Sequence, residues 1–390
     1  MSAKELPSRP NFNQYRKQAK DLLKSFRAGD GDALSRISEV HPEFKKTFDT
    51  PFQLSDAQWV IAREHGFESW PKFADHIRQI VAENASRAST TESSRALFAI
   101  DLDIKTDELN TCVFTRDGKR ALIGAGGNLA GVWDVETGRR VISCDERSVG
   151  AWAVAWSRDE RHAFVGTLNG AVQVWDVEAG VCLRVIKVHN SFVRCIDLSS
   201  DSRRVISGSG GMRPSTIKFW EVETERTIRV MEGHSDGVYA VALDPTERHA
   251  LSGSRDGTVR LWDLETAACL RVFKGHSNCV LWSKDRRRML SGARDIRLWD
   301  IESGQCIRVF EQTEGDSLVR QLAWSADQRR VLSAQHNNTV RLWDVETGSC
   351  LRIFQGHPVG VVTVMWSADE RRAYSCDWIG GVRVWDVSNV

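Results

Sequence analysis

Seven times along the chain a tryptophan is followed directly by an acidic residue: at Trp133, Trp175, Trp220, Trp262, Trp299, Trp343 and Trp385, in steps of 42, 45, 42, 37, 44 and 42 residues. A period of that size marks a repeat architecture, in which each copy is one supersecondary unit that hides its apolar face against the next. Inside a copy the pattern has period two: an alternating run such as "GVYAVAL", a charged turn "DPTERH", a second run "ALSGS", a Gly-containing turn, "VRLWD", then a short turn and "CLRVF". Four short strands joined by tight turns make an antiparallel meander.

These features resemble the WD-repeat family, from about residue 95 to the end of the chain. Most of the Trp-acid pairs are followed by "VET" or a close variant, and three copies carry a Gly-His dipeptide, Gly233-His234, Gly275-His276 and Gly356-His357. The resemblance implies a mainly β fold, a seven-bladed β-propeller of four-stranded antiparallel blades around a central channel, and the segment ahead of it reads as a small α-helical domain. The last copy reaches only its third strand, in "VRVWDVSNV", which would leave an unpaired sheet edge. The strand-like run "RALFAIDLDI", residues 95 to 104, is expected to fill that edge as a closing strand.

Ser252, Asp256 and His234 supply the residue types of a hydrolytic triad. In the family resembled, the Gly-His histidine, a Ser or Thr on the second strand, the Asp of the following turn and the Trp of the third strand form a hydrogen-bonded structural set, and His234, Ser252, Asp256 and Trp262 match it. The set recurs in part, as His276, Ser291 and Asp295 in the fifth copy and His357 with Ser375 in the seventh, whereas an enzyme needs one site. Asn169 and Asn337 replace the Asp in the second and sixth copies, and the third keeps His189 and Ser207 without an Asp. No G-x-S-x-G turn frames Ser252, and no HExxH, P-loop or carboxylate cluster stands elsewhere. The set therefore reads as architecture, and the sequence assigns no catalytic residue, metal ligand or cofactor.

Function must then come from surface positions that vary between copies. Propellers of this family often dock partners where the turn between second and third strands meets the loop leading into each blade. The matching first-strand positions are Asn110, Trp152, Arg194, Tyr239, Arg320 and Val362, and those just before the turn acid or its replacement are Leu168, Arg255, Arg294 and His336. None of the ten is acidic, and Trp, Tyr and Arg are interface hot-spot types. Such a face suits a protein or peptide partner, acidic or phosphorylated, and the protein reads as a non-enzymatic scaffold or adaptor. The alternative is that these residues merely pad the face.

Two copies depart from the rest. The third carries three extra residues between Ser207 and Trp220, with Met212 and Arg213 expected to project from the rim. The fifth is five residues short and is expected to form a cramped or irregular blade, the weak point of the ring. Trp156, Trp282, Trp324 and Trp366 fall on the alternate side of the first strand and read as packing.

Residues 1–82 read as a small helical module, and 83–94, "ENASRASTTESS", as a flexible linker to the propeller of 95–390. Tyr15, Ala19, Leu22, Leu23 and Phe26 follow helical spacing to a stop at Gly29; further helices are expected in "DALSRISEV", from a capping Ser55 to Gly66, and from Ser69 onward. "YRKQAKDLL" and "IAREHGFESWPKF" resemble a helical module that precedes ankyrin repeats in bacterial proteins, which implies a bacterial source and no settled activity.

Arg16, Lys17, Lys20, Lys24 and Arg27 make one side of the first helix basic, leaving open a nucleic-acid-associated role. A net charge of +1, from 53 basic and 52 acidic residues mixed along the chain, counts against it. An enzyme with a site of unfamiliar form is the other alternative. No apolar run approaches the roughly 18 residues a membrane helix needs, and a cytoplasmic location is expected. Nine cysteines without a CxxC pair do not form a disulfide framework or zinc site. Cys182, Cys269, Cys306 and Cys350 share one repeat position and are expected to be buried reduced thiols.

Overall fold

The computed structural model describes residues 12–40, 52–77, 96–104, 109–126, 129–144, 150–211, 215–275, 277–310 and 318–388. The chain forms two compact units, Met1–Glu92 and Ser93–Val390. The segment 83–94, Met212 and Arg213, expected to project, and His276 lie outside the described residues.

The first unit holds helices Phe12–Arg27, Gly31–Val40 and Leu54–Glu64 and a short helix over 70–77. Their apolar stripes meet in one core of Tyr15, Ala19, Leu22, Ile37, Ile61, Phe73 and Ile77. Gly29 ends the first helix at φ 75°, a left-handed conformation suited to glycine. The third helix begins two residues earlier than expected: its N-cap is Gln53, Leu54 is already helical, and Asp56 reaches back to accept the Gln53 N–H at 2.7 Å, so Ser55 lies inside the first turn. Lys17, Lys20, Lys24 and Arg27 are exposed, while the Arg16 side chain lies outside the described residues.

The second unit is a seven-bladed propeller, each blade a four-stranded antiparallel sheet. The innermost strands are Leu109–Phe114, Ala151–Trp156, Val193–Leu198, Val238–Leu243, Cys279–Trp282, Val319–Trp324 and Val361–Trp366. The seventh blade takes its outer strand from the start of the unit: Phe98–Asp101 pairs antiparallel with Gly381–Asp386, Phe98 opposite Val384 and Asp101 opposite Gly381. Apolar residues on both faces of each blade bury against its neighbours, so the core consists of seams. One such cluster joins Ile206 and Phe219 of the third blade to Val238, Val241 and Trp262 of the fourth.

Two kinds of polar staple cross these seams. The indole N–H of Trp156 donates to the Val113 carbonyl of the preceding blade, Trp282 to Ala242, and Trp366 to Ala323, each at 3.0 Å. At the rim an arginine of the outer strand reaches the following blade: Arg229 to the Glu265 carbonyl at 2.7 Å, Arg271 to that of Glu302 at 2.7 Å, Arg308 to Thr347 at 3.2 Å and Arg352 to Asp386 at 3.3 Å. The "LRV" arginine is thus a clasp whose position in the sequence repeats because the seam repeats.

Two expectations are corrected. The fifth blade is short but regular: its two inner strands pair without a register shift, from Cys279 opposite Gly292 to Trp282 opposite Met289. The missing residues are absorbed by a four-residue inner strand and a tight turn at Ala293–Asp295, not by distortion. The repeated thiols are not buried: Cys269 and Cys306 are exposed, and Cys182 and Cys350 partly so. They stand in the first two positions of the outermost strand, which has no neighbour on one side, and a register shift opposite the repeat tryptophan turns each S–H toward the carbonyl two residues on, as from Cys306 to Arg308 at 3.3 Å.

Candidate docking face

In the fourth blade His234 Nδ1 lies 2.7 Å from Asp256 Oδ2, and Nε2 lies 2.7 Å from Ser252 Oγ. Ser252 Oγ also accepts the Trp262 indole N–H at 2.8 Å. The carboxylate can only accept, so Nδ1 carries the imidazole proton and the serine hydroxyl donates to Nε2. Burial depresses the His234 pKa, with Asp256 opposing. Burial pushes the Asp256 carboxyl up, but bonds from Thr258 and His234 outweigh it and hold the carboxyl below its usual range. Ser252 has no exposed surface, so its oxygen meets no substrate; the chain of bonds ties the loop before the blade to the turn within it.

The same joint is rebuilt from different parts elsewhere. The seventh blade is complete, because Asp377 lies 2.8 Å from His357 and Ser375 lies 2.6 Å from it, with Trp385 donating to Ser375 at 2.7 Å. Its acid stands two residues after the serine instead of four, so the fourth-copy spacing does not find it. In the third blade Thr216, at 3.3 Å, takes the place of the acid beside His189. In the sixth, Gln335 donates to Ser333 at 3.2 Å, and in the second the Trp175 indole turns to Gln173 at 2.9 Å. Asp295 of the fifth blade pairs with Arg297 at 2.7 Å.

The inner strands enclose a channel of about 310 Å³. In six blades the inner pair shifts register at one residue, which is left without a direct partner: Asn110, Trp152, Arg194, Tyr239, Arg320 and Val362. A bulge of this kind re-aims the side chain it carries, and all six line the channel. The fifth blade contributes Asn278, just ahead of its unbulged strand, and Asn278 escapes sequence counting because that strand is three residues short.

Val362 belongs to the core, with 7% of its surface exposed among Cys112, Cys376 and Val382. Leu168, Arg255, Arg294 and His336 are exposed on the turns. The N–H groups of Leu168, Arg255 and His336 each bond the loop ahead of their blade, to Gly150, Gly237 and Leu318. Trp378 makes the same bond to Gly360, at 3.1 Å, which marks it as the seventh blade's equivalent; counting three residues from Ser375, as from Ser252 to Arg255, would have found it.

Two aromatic and cationic groups stand at the mouth. The Arg194 guanidinium lies 5.2 Å from the Trp152 ring centre and 4.8 Å from that of Tyr239, and Phe192 packs on Trp152 at 5.4 Å. In the sixth and seventh blades Arg320 lies 5.6 Å from Trp378, whose ring meets His336 edge-on at 4.4 Å. Among the described residues no group of three or more His, Cys, Asp or Glu side chains could hold a metal ion, and no helix is long and apolar enough to cross a membrane.

Four stretches, residues 137–176, 180–221, 225–263 and 267–300, match the WD domain, G-beta repeat, and residues 296–369 match the WD40 domain of anaphase-promoting complex subunit 4. The chain carries WD repeats, and they build the propeller. The stretch 137–176 begins with the outer strand of the first blade and ends with the third strand of the second, so the sequence repeat is offset from the blade by one strand. A search of curated proteins finds no match.

Proposed function

We propose that this protein is a non-enzymatic interaction scaffold that docks a protein or peptide on the channel-mouth face of its propeller, acting in the cytoplasm. WD-repeat propellers generally mediate protein interactions. The observation that carries the reading is the bulge at one position in six blades, which turns Trp152, Arg194, Tyr239 and Arg320 out of the sheets toward a common opening. Side chains rich in ring and guanidinium surface, held by a rigid scaffold, lose little entropy on binding and make strong contact anchors. None of the ten face positions is acidic, which favours an acidic partner. The nine cysteines form no disulfide, which suits a reducing compartment.

The test compares partners captured from native lysate by the intact protein and by a Trp152→Ala, Tyr239→Ala, Arg255→Ala, Arg320→Ala variant, both checked for folding by melting. Partners lost from the folded variant are expected. An unchanged set of partners would remove the mouth as the docking face.

A further inference from the structure

One cation at the mouth has no counter-charge among the described residues. Arg194 forms no ion pair there; burial depresses its pKa, and the groups that oppose this are Cys195 and the Tyr239 hydroxyl, to which it donates a hydrogen bond. The turn acids are already engaged, Asp256 and Asp377 with histidines and Asp295 with Arg297, and Asp197, which lines the channel, accepts the N–H groups of Leu198 and Leu243. Trp152 and Tyr239 lie against the guanidinium and the Tyr239 hydroxyl takes one of its N–H donors, leaving the remaining N–H groups as the part a ligand can address. An edge of parallel N–H donors matches an oxyanion approaching in the guanidinium plane.

The surrounding backbone is shaped to hold this group. The Gly210 N–H takes the bond to the Phe192 carbonyl, at 3.0 Å, that Arg255 and His336 make in their blades, but without a side chain. A methyl group on Gly210 or Gly211 would run into the Phe192 ring, and Gly211 has φ 83°. A methyl on Gly237 would crowd the Tyr239 ring at 3.3 Å. Three glycines thus leave room for Phe192, which buttresses Trp152, and for Tyr239 on the other side. The third blade has this glycine pair in the turn where the fourth carries its acid, and its joint makes do with Thr216 beside His189.

We infer that Arg194 is the specificity-determining residue of the docking face and receives a single oxyanion, a carboxylate or phosphate group borne by the docked partner, with Trp152 and Tyr239 holding the guanidinium in place. This rests on the docking reading above. The channel of about 310 Å³ beneath admits one small acidic group.

The full chain is titrated with inorganic phosphate and with acetate at constant ionic strength, following heat and melting temperature. Saturable binding is expected, at least tenfold weaker in Arg194→Lys, lost in Arg194→Gln, weakened in Gly210→Ala and within about twofold of the parent in Arg294→Ala. Phosphate favoured tenfold or more over acetate identifies a phosphorylated side chain; comparable affinities identify a carboxylate. No saturable binding of either anion, or equal binding by the folded Arg194→Gln protein, overturns the inference. If Arg194→Gln keeps the lysate partners that the fourfold variant loses, the docking face stands and the oxyanion site falls.

Discussion

The joint of the third blade should make the propeller acid-sensitive through one side chain. His189 is 2% exposed; burial, with the nearby Lys218 charge adding to it, depresses its pKa from 6.5 to about 3. The folded value lies below the unfolded one, so this contribution is whole above about pH 6.5 and is lost as the pH falls toward 3. At pH 5 the unfolded chain has taken up the proton and the folded chain has not, a difference of about 2 kcal/mol relative to pH 7.5. His189→Gln removes the titration and keeps an amide that can serve the serine, as Gln335 serves Ser333 in the sixth blade. Urea unfolding of both proteins, followed by tryptophan fluorescence at pH 7.5 and 5.0, measures the effect. The parent should lose about 2 kcal/mol more than the variant, or about 3 °C in melting temperature for a unit of this size. Asp197, whose pKa burial pushes up to about 6, titrates in both and cancels. Equal losses in the two proteins would refute the assignment of an uncharged His189.

Three further outcomes are expected. Ser252→Ala should cost about 2–3 kcal/mol in urea unfolding, because it strands both the His234 nitrogen and the Trp262 indole N–H; a cost under about 0.5 kcal/mol would show the joint is idle. Deleting residues 95–104 should lower the melting temperature sharply, since Gly381–Asp386 loses the strand it pairs with; an unchanged melt would contradict the closure. Hydrogen exchange should be faster along the seam between the fifth and sixth blades than along that between the first and second, because the Trp324 indole finds no acceptor while Trp156 does; equal protection would remove this seam as the weak point.

The repeat tryptophans and the fourth blade's His234, Ser252, Asp256 and Trp262 were legible because each stands at a fixed offset in the chain. Asp377 and Gln335 were not, since a joint needs a donor or acceptor at a point in space, and a side chain two residues away along the turn can reach that point. The bulged positions could be counted from the histidine until the shortened fifth copy broke the count, hiding Asn278. Phe192 gave no signal of its own, because its role depends on glycines some twenty residues further along lying over its ring.

A period of about 42 residues, four alternating runs per copy and the Trp-acid pairs were enough to determine a ring of antiparallel blades, because apolar alternation dictates which faces must be buried and the repeat dictates that every face meets the same kind of neighbour. Tertiary structure decided what that period could not encode. The repeat is offset from the blade by one strand, so the ring joins Phe98–Asp101 to a partner at least 280 positions away, and the bulges gather side chains from six blades around one opening. Contacts of that kind come from closing the ring, a constraint on the whole chain that no single copy carries.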